Sequence, residues 1–566
     1  MYYHKILVVG SGLAGLRAAV ESAPKVDTAI ISQVHPVRSH SGAAQGGVNA
    51  SFANNPAAKD DNAEKHAFDT TKGSDFLADQ DAVEFMTKEA VPCIVEMEHW
   101  GCPFSRTEDG KIAQRPFGGA GYPRTCYATD KTGQYMLHTL WERSVKLDIP
   151  LYEDRIMVDL VVEGDTVRGL ICWNMRTGEL ETFMAEAVII ASGGSGQIYG
   201  RSTNALISTG SAQSACYRRG VPLKDMEFVQ FHPTSLFGTN ILMTEGARGE
   251  GGYLVNSLGE RFMSKYAAKA MELAPRDIVS RSIQTEINEG RGIDGKDFVH
   301  LDLRHLGRAK IMERLPGIRD LAINFVGVDP IEKPVPIQPG QHYTMGGLDT
   351  NIDGATKFKG LYAAGECGCV SVHGANRLGG NSLLDTVVFG KRAGAVAAEF
   401  VLAKKTFKEG EAAVQKVLRE TKDHVQALLD RTGTENHSDI RAEMKQAMIE
   451  NVGIYRSKAQ MEAAHAKIKE LKDRMKRVAI KNKGKSYNLD LMRAYELQGM
   501  LEVAEAIVVG ALKREESRGA HSRLDFKERD DTKFLQHTIA TYSPAGPVIT
   551  YSPVKITKFK PEARRY

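Results

Sequence analysis

The sequence predicts an α/β fold whose first βαβ unit is of the Rossmann type and binds a dinucleotide. Residues 4–9 form an apolar run typical of a buried parallel strand, and residues 10–15 (GSGLAG) follow it directly. A helical pattern begins at Leu16, and residues 28–32 form a second apolar run. A GxGxxG motif between strand and helix provides a tight turn, close approach to a pyrophosphate, and close packing of helix on strand.

Length and composition limit the class of protein. The chain has 566 residues, 42% of them hydrophobic and 25% charged. About two to four domains are expected at this length. The net charge of +4 is too small to indicate nucleic-acid binding. No apolar run approaches the roughly 18–20 residues that span a bilayer, and the start lacks a signal-peptide pattern. The chain as given is therefore expected to be cytoplasmic, or processed.

The cysteines indicate that this chain binds no metal. There are seven, an odd number, and no CxxC pair occurs. This pattern argues against a disulfide scaffold, a zinc site or an iron–sulfur cluster. Electrons that reach a cofactor in this chain are therefore expected to leave to a partner.

Residues 38–47 (RSHSGAAQGG) are the segment around which the predicted site is organised. Three glycines there let the backbone approach a flat ligand closely, and His40 offers a ring nitrogen among them. We expect a flavin at this position, bonded to His40; the alternative is a glycine-rich turn with an incidental histidine. Ser32 ends the second strand, where NAD-type folds usually place an acid, which disfavours a nicotinamide cofactor.

The next elements are predicted from their patterns. Residues 54–75 are polar and are predicted to form a surface loop, whereas residues 81–99 have helical spacing. Residues 114–119 are predicted to form a loop that reaches the flavin or makes a plain turn. A β-meander is predicted over residues 151–190, and its last strand ends at a second glycine pair.

The nucleotide-binding pattern returns after a long insertion. Residues 360–366 form a buried strand ending at Glu366, which can receive a ribose hydroxyl. Ser382 and Leu383 begin a helix whose N-terminal N–H groups face the pyrimidine end of a flavin. The predicted architecture is a discontinuous FAD-binding domain, an inserted α+β capping domain, a helical bundle domain, and a small C-terminal domain. Their predicted bounds are 1–231 with 346–405, then 232–345, 406–515 and 516–566.

Four separate segments share polar residues set between glycines, and we interpret them as a substrate clamp: residues 231–234, 243–252, 341–347 and 376–382. Arg377 can bind one carboxylate with two hydrogen bonds, and His342 can add a donor. His232 and Thr244 can hold a second carboxylate. A single histidine is more often a core residue, but the set together indicates a small dicarboxylate.

Reduction or oxidation of a carbon–carbon bond also requires a proton carrier. Arg276 is the candidate, with Glu245 and Arg248 as the relay that restores its proton. Arginine is a poor base because its pKa lies above about 12. The alternative is that Arg276 only forms an ion pair with Asp277 or a neighbour.

The motifs GSGLAG, RSHSGAAQGG, QFHPT, TEGARGEGG, PRD, HYTMGG and HGANRLGGNSLLD occur in this order. Together they resemble the flavoprotein subunits of succinate dehydrogenase and fumarate reductase over essentially the whole chain. Residues 451–456 (NVGIYR) are most similar to menaquinol-linked fumarate reductases. The resemblance implies FAD bonded through its 8α carbon to His40, which raises the flavin potential. It also implies hydride transfer between flavin N5 and a fumarate or succinate held by His232, Thr244, His342 and Arg377.

The resemblance further implies that Arg276 moves the proton through Glu245 and Arg248, and that the capping domain closes as a lid. Two positions depart from the family pattern: Ala247 replaces a common cysteine, and Ser211 replaces an acid near the FAD. The residues expected to bind FAD besides His40 are Gly10, Ser11, Gly12, Leu13, Ala14, Gly15, Ser32, Gln33, Ser39, Ser41, Ala44, Gln45, Gly46, Gly47, Ser211, Glu366, Ser382 and Leu383.

Members of that family work as complexes. The implied partners are an iron–sulfur subunit, a membrane anchor of the cytochrome b type with any haem, and, indirectly, quinone. The implied location is peripheral, on the cytoplasmic side of the bacterial inner membrane. Two other functions remain open from the residues: an L-aspartate oxidase-like enzyme with non-covalent FAD, and an electron-carrying or docking flavoprotein without a substrate.

Overall fold

The computed structural model describes residues 1–404 and 410–564, so the predicted boundary at 405/406 lies outside the described residues. The strands are Tyr2–Val9, Thr28–Ser32, Val48–Asn49, Gln114–Arg115, Thr125–Cys126, Leu151–Glu153, Arg155–Glu163, Thr166–Asn174, Leu180–Ile190, Leu223–Lys224, Val229–Leu236, Tyr253–Val255, Val299–Asp302, Val335–Thr344, Gly347–Asp349, Leu361–Ala363, Gly368–Cys369, Tyr455–Arg456, Ser522–Arg523, Gln536–Thr541 and Val548–Pro553. The α-helices are Leu13–Ser22, Ala63–Gly73, Gln80–His99, Thr132–Lys146, Ser211–Arg218, Glu245–Gly249, Met263–Tyr266, Arg276–Asn288, Gly307–Arg314, Pro316–Val326, Asn381–Leu402, Glu411–Asp430, His437–Asn451, Lys458–Arg474 and Leu489–Lys513.

A largely parallel sheet is the centre of the nucleotide-binding part. Ile31, Val9, Ile190 and Ala363 lie side by side across four neighbouring parallel strands, so the carboxyl ends of these strands meet at one edge. The meander strands Arg155–Glu163 and Thr166–Asn174 extend the sheet with antiparallel pairing, through the first half of the long strand Leu180–Ile190. Ligands of open α/β sheets bind at such an edge.

Two helices cross closely against this sheet. A Cβ atom added at Gly394, in Asn381–Leu402, would lie 2.4 Å from the carbonyl oxygen of Ala18, in the first helix. Only glycine fits such a contact, so the crossing brings the start of the second helix next to the glycine-rich turn after the first strand.

The surface loop predicted over residues 54–75 is wrong, because the chain forms the helix Ala63–Gly73 there. Asn62 caps it by accepting a hydrogen bond from the backbone N–H of Lys65 at 3.0 Å. Its polar side chains face polar neighbours: His66 lies 3.0 Å from Asn381 Oδ1, and Asp69 pairs with Arg124 at 2.6 Å. The segment is polar because it packs against a buried ionic cluster, and the capping asparagine is the feature of the sequence that indicates the helix.

The inserted region contains an antiparallel sheet in the order Val229–Leu236, Val335–Thr344, Val299–Asp302, Tyr253–Val255. The chain enters the region along the first of these strands and leaves it along the second. Their register shifts next to Gln230 and after His232. Irregular pairing of this kind re-aims side chains and is common beside active sites. A separate apolar cluster that includes Leu254, Leu301 and Ile337 fills this region.

The last third of the described chain is mainly helical. Four helices between Glu411 and Lys513 form the region that was predicted as a bundle. The strand Gln536–Thr541 then pairs with Leu223–Lys224, and Val548–Pro553 pairs with Gln536–Thr541, so the C-terminal segment extends a sheet that the N-terminal part begins. Within residues 1–404 and 410–564, no helix combines the length and apolar character that crossing a membrane requires.

Candidate active site

A large cavity lies where the parallel strands end. Residues 9–14, 31–34, 191–194 and 364–366, which follow four neighbouring strands, form one wall. Gly10 has φ +111°, and a Cβ atom there would lie 2.2 Å from the carbonyl oxygen of Ala191. The first glycine of the motif is therefore required by the tight turn.

The segment around His40 forms a second wall of the cavity. His40 starts a short 3₁₀ helix, and its Nδ1 accepts a hydrogen bond from the backbone N–H of Ala205 at 3.3 Å. Asn204 Nδ2 lies 3.2 Å from Nε2. Burial lowers the pKa of the His40 imidazole to about 4, so the ring is neutral at physiological pH. The buried atoms Ser39 Oγ and Gln45 Oε1 have no hydrogen-bond partner in the described part of the chain, which leaves polar groups for a ligand.

Glu366 and the start of the helix Asn381–Leu402 complete this half of the cavity. Glu366 Oε1 accepts a hydrogen bond from the backbone N–H of Thr344 at 3.0 Å, and burial raises the pKa of its carboxyl group to about 7. Ser382 and Leu383 lie in the first turn of the helix, where backbone N–H groups have no partner within the helix. These donors suit the polar edge of a flavin.

Most of the predicted site residues line one cavity. Gly15 and Arg248 do not line it: Gly15 packs against the carbonyl oxygen of Gly10, and Arg248 lies behind Glu245. The predicted residues that line the cavity are Gly10, Ser11, Gly12, Leu13, Ala14, Ser32, Gln33, Ser39, His40, Ser41, Ala44, Gln45, Gly46, Gly47, Ser211, His232, Thr244, Glu245, Arg276, His342, Glu366, Arg377, Ser382 and Leu383.

Two histidines face each other where the cavity meets the inserted region. The rings of His232 and His342 lie 4.9 Å apart between centroids. His232 Nδ1 lies 3.2 Å from the backbone N–H of Thr234, and His342 Nδ1 lies 2.7 Å from Thr203 Oγ1. Burial, assisted by the neighbouring positive charges, lowers the pKa of both imidazoles well below the usual range. Both rings are therefore neutral, and each has its second nitrogen available.

The ionic cluster of the site has more positive than negative charge. Arg276 Nε donates to Glu245 Oε2 at 2.6 Å, and Arg248 Nη2 lies 3.9 Å from the same oxygen. Although burial alone would raise the pKa of Glu245, Arg276 and Arg248 hold it below the usual range. Arg377 stacks over the ring of Tyr343 at 4.4 Å. Among the described residues, Arg377 Nε has no hydrogen-bond partner, and neither do Nε and Nη2 of Arg248.

The alternative that Arg276 merely forms an ion pair with Asp277 or a neighbour is wrong for Asp277 and stays a prediction for a neighbour, because Arg276 pairs with Glu245. Arg276 binds Glu245, whereas the Asp277 carboxylate is held by Arg281 at 2.9 Å and by Arg564 at 3.0 Å. Arg276 is the first residue of the helix Arg276–Asn288, so its side chain leaves the helix start toward the cavity.

Three contacts of the site were not predicted. Gln230 Oε1 accepts hydrogen bonds from both Arg276 and Arg377. The backbone N–H of Gly118 donates to Glu245, which connects the 114–119 loop to the ionic cluster. Arg115 Nε donates to the carbonyl oxygen of Gly46 at 3.1 Å. Only the glycine pair at 118–119 marked this loop in the sequence; nothing marked Gln230 as different from its strand neighbours.

The described part of the chain holds no cluster of three or more His, Cys, Asp or Glu side chains suited to a metal ion. Its seven cysteines are buried and free. A nucleotide-type cavity that ends at neutral histidines and an excess of arginine charge can place a flat redox cofactor beside an anion. The fold and the site therefore define a flavin-dependent oxidoreductase.

Comparison with known proteins agrees with this class. Residues 5–383 match the family model described as FAD binding domain, and residues 441–566 match Fumarate reductase flavoprotein C-term. The fumarate reductase flavoprotein subunit of Proteus vulgaris is 45% identical, over 99% of this chain and 96% of the relative. The succinate dehydrogenase flavoprotein subunit of Rickettsia bellii is 43% identical, over 99% and 97%.

Two solved structures have the same fold over nearly the whole chain. An E. coli quinol fumarate reductase FrdA variant is 43% identical and superposes with a TM-score of 0.96, covering 99% of this chain and 98% of that one. A quinol–fumarate reductase with menaquinol molecules is 43% identical with a TM-score of 0.94, covering 99% and 100%. The chain belongs to the family of fumarate reductase and succinate dehydrogenase flavoprotein subunits.

Proposed function

We propose that this chain interconverts fumarate and succinate as the catalytic subunit of a quinone-linked complex. The observation that carries the proposal is the convergence of Arg276, Arg377, His232 and His342 at the end of the cavity that His40 also lines. FAD, when bound, supplies the hydride exchange. The buried polar atoms without partners at Ser39 and Gln45, together with the free helix N–H groups, fit such a cofactor.

The substrate is held at its two ends by different groups. Arg377 binds one carboxylate with two hydrogen bonds, assisted by His342, and His232 and Thr244 hold the other. The unpaired guanidinium nitrogen of Arg377 supports this role. Pulling electron density toward both carboxylates polarises the double bond, and preorganised charge of this kind is usually the largest source of rate enhancement.

Arg276 moves the proton. In fumarate reduction it donates a proton from its guanidinium to the substrate carbon opposite the hydride. The Glu245 carboxylate, 2.6 Å away, returns a proton that Arg248 supplies from behind. The lowered pKa of Glu245 keeps this carboxylate ionised, so it holds the proton only in passing from Arg248 to Arg276. Succinate oxidation follows the same path in reverse.

His40 forms the covalent bond to the 8α carbon of FAD. Two features support it: the ring is neutral, and His40 lines the cavity beside Ser39, whose buried Oγ has no partner among the described residues. The link raises the flavin potential, which succinate oxidation requires. The residues predicted from the sequence to bind FAD are part of the same proposal. Gly15 does not line the cavity and supports the site by packing closely against Gly10.

The inserted region acts as a lid. Residues 232–345 have a separate apolar cluster and carry His232, Thr244, Glu245 and Arg276, so closure of this region completes the site and excludes water. We also propose that the chain divides at the predicted bounds into an FAD-binding, a capping, a helical and a small C-terminal domain.

Partner subunits complete the electron path. The likeness to a quinol–fumarate reductase with menaquinol molecules supports a complex that reacts with quinone. We infer an iron–sulfur subunit that exchanges electrons with this chain. A membrane anchor of the cytochrome b type carries any haem and reacts with quinone. The chain is then peripheral, on the cytoplasmic side of the bacterial inner membrane.

The test uses the purified complex. We expect acid precipitation to leave flavin absorbance in the pellet, and both succinate and fumarate to change the flavin spectrum. His40→Ser should retain FAD non-covalently and reduce fumarate, but lose succinate oxidation. Free flavin in the supernatant of the unaltered protein would favour the aspartate oxidase alternative. The absence of any spectral response to either acid would favour the electron-carrier alternative.

A further inference from the structure

Gln230 lies between the two arginines that the proposed mechanism uses. It is in the strand Val229–Leu236 and is completely buried. Its Oε1 accepts a hydrogen bond from Arg276 Nη1 at 3.1 Å and another from Arg377 Nη2 at 3.0 Å. One neutral oxygen therefore joins two guanidinium groups that belong to different elements of the chain.

The amide is fixed from its other end as well. Gln230 Nε2 donates to Asn376 Oδ1 at 2.9 Å and to the carbonyl oxygen of Arg377 at 2.7 Å. Asn376 Nδ2 donates in turn to the carbonyl oxygen of Gly73 at 3.2 Å. Two acceptors face the nitrogen and two donors face the oxygen, so only one orientation of the amide satisfies all four. The oxygen has no freedom to follow either arginine.

The group that joins the two arginines is a neutral amide and not a carboxylate, and this difference affects substrate binding. Two guanidinium groups repel each other at short distance, and a shared acceptor holds them close in spite of that repulsion. A carboxylate at this position would hold them too, but it would cancel a positive charge that a dianionic substrate needs. Arg276 already has one carboxylate partner in Glu245, whereas Arg377 has none among its hydrogen bonds. An amide fixes the geometry and leaves the positive charge available.

We propose that Gln230 is a positioning residue for the fumarate–succinate reaction, which sets the separation between the proton-donating Arg276 and the carboxylate-binding Arg377. This inference rests on the proposed roles of the two arginines. Gln230 touches neither substrate nor cofactor in it, since it does not line the cavity.

The test replaces Gln230 by methionine in the assembled complex, with fumarate reduction followed by oxidation of a reduced viologen. The variant has a similar volume but no hydrogen-bonding amide. We expect kcat/KM for fumarate to fall about 100-fold, the loss typical of misplacing a catalytic group by about 1 Å. The fall should be divided between a higher KM, through Arg377, and a lower kcat, through Arg276.

Gln213→Met is the matched control. Gln213 is also buried, outside the cavity, where its Nε2 donates to the carbonyl oxygen of Cys367 at 3.4 Å. Both variants should retain acid-precipitable flavin and a similar Tm, but only Gln230→Met should lose activity. A role in folding alone would instead lower Tm and flavin content together with activity.

A double-mutant cycle examines the link itself, with malonate as the dicarboxylate probe and the flavin spectrum as the readout. Gln230→Met alone should weaken malonate binding. In an Arg377→Lys background the same change should weaken it by less than about twofold, because the partner that Gln230 holds is gone. If Gln230→Met weakens malonate binding by the same factor with and without Arg377→Lys, Gln230 does not act through Arg377, and the inference is overturned.

A kcat/KM for Gln230→Met within about threefold of the unaltered protein would also overturn it, since residues acting through one another couple more strongly. If this variant does not accumulate with flavin, Gln230→Asn carries the same prediction, because it keeps the amide and shortens its reach. Unimpaired activity in Arg276→Lys and Arg377→Lys would instead refute the proposed function. Loss of activity in those two variants but not at Gln230 would refute this inference alone.

Discussion

Two buried arginine clusters in this molecule differ in how completely their hydrogen bonds are satisfied. Arg514, in the C-terminal cluster, is fully buried, and all five of its N–H donors have partners within 2.9 Å. Arg377, in the clamp, is almost as buried, yet its Nε has no partner. The partners of Arg514 are Glu227, Glu516, Thr538 and the carbonyl oxygens of Phe534 and Gln536.

The pKa values of Arg514 and Arg377 differ in a way that matches their hydrogen bonding. Burial opposes charge on Arg514, but the carboxylates of Glu227 and Glu516 raise its pKa above the usual value. Burial, followed by the charge of Arg276, lowers the pKa of Arg377 to about 9. Arg514 is saturated and holds the fold together, whereas Arg377 lies in the cavity wall and is short of an acceptor, so an anion that is not part of the chain can bind there. Burial alone does not distinguish the two.

The largest expected effect is on turnover, from Arg276→Lys in the unsaturated cluster. Lysine keeps the charge but cannot reach Glu245 and Gln230 at once, as Arg276 does. We expect kcat for fumarate reduction to fall about 1,000- to 10,000-fold, the upper range for losing a general acid. Steady-state kinetics give the value, and malonate titration should show that dicarboxylate binding persists.

Arg281→Lys is the control for this prediction. Arg281 lies on the same helix and pairs with Asp277 at 2.9 Å, outside the cavity. It should retain turnover close to that of the unaltered protein. Substantial activity in Arg276→Lys would remove Arg276 from the proton path and with it the functional contrast between the two clusters.

The second effect is on stability, from Arg514→Met in the saturated cluster. Removing Arg514 leaves the buried carboxylate of Glu227 without its ion-pair partner, at a cost of about 3–5 kcal/mol, whereas Glu516 keeps its pair with Arg518. We expect a lower Tm, while kcat per bound flavin stays unchanged because Arg514 does not line the cavity. A normal Tm with reduced kcat would reverse the assignment of the two clusters.

Sequence patterns predicted the elements that depend on periodicity and on glycine. The strands near residues 4–9 and 28–32 and the helix near 81–99 occur within a few residues of their predicted bounds. Apolar spacing determines such elements locally, and the glycine-rich turns mark where backbones approach. The histidines and arginines of the clamp were found because they stand between glycines in four segments.

Features that depend on partners distant in sequence could not be found in this way. The helix Ala63–Gly73 is polar because a buried ionic cluster faces it, and its composition alone indicates a loop. Gln230 binds Arg276 and Arg377, which lie 46 and 147 positions away in the sequence. Arg514 binds Glu516, 2 positions away, but also Glu227, 287 positions away. No local pattern records whether a buried arginine is saturated, so the contrast between the two clusters requires the structure.

The third effect is a pH dependence of stability at His537. Its ring nitrogens lie 2.7 Å from Asp225 and 3.1 Å from Asp79. Burial opposes its charge, but these carboxylates raise its pKa from 6.5 to about 9. The charged form is therefore favoured by folding, with about 3 kcal/mol of stabilisation that is complete below pH 6.5 and is lost as pH rises through 9. The clamp histidines His232 and His342 have lowered pKa values and add nothing in this window.

Denaturant unfolding of the unaltered protein and of His537→Gln from about pH 6 to about pH 9.5 measures this contribution. The difference in free energy of unfolding should be largest at the acid end of that range and should narrow toward the alkaline end. His300→Gln is the control, because the pKa of that histidine is lowered and its removal gives no such narrowing. A gap between the unaltered protein and His537→Gln that is constant with pH would show that folding does not raise the pKa of His537.

The smallest effect is expected from a thiol reagent, which tests whether the clamp contains a reactive cysteine. All seven cysteines are buried, and burial raises the pKa of Cys93 and Cys367 to about 11. Such a thiol is about 0.01% ionised at pH 7, and the thiolate is the form that a maleimide attacks. Ala247, beside Arg248, stands where a cysteine thiol would be activated by the positive charges of the unsaturated cluster.

Native protein treated with a maleimide should therefore keep its activity and show unlabelled peptides of this chain by mass spectrometry, whereas the denatured chain should label at all seven positions. A loss of activity that malonate prevents, with a label on one of these cysteines, would place a reactive thiol in the clamp and contradict its description as a site of guanidinium and imidazole groups.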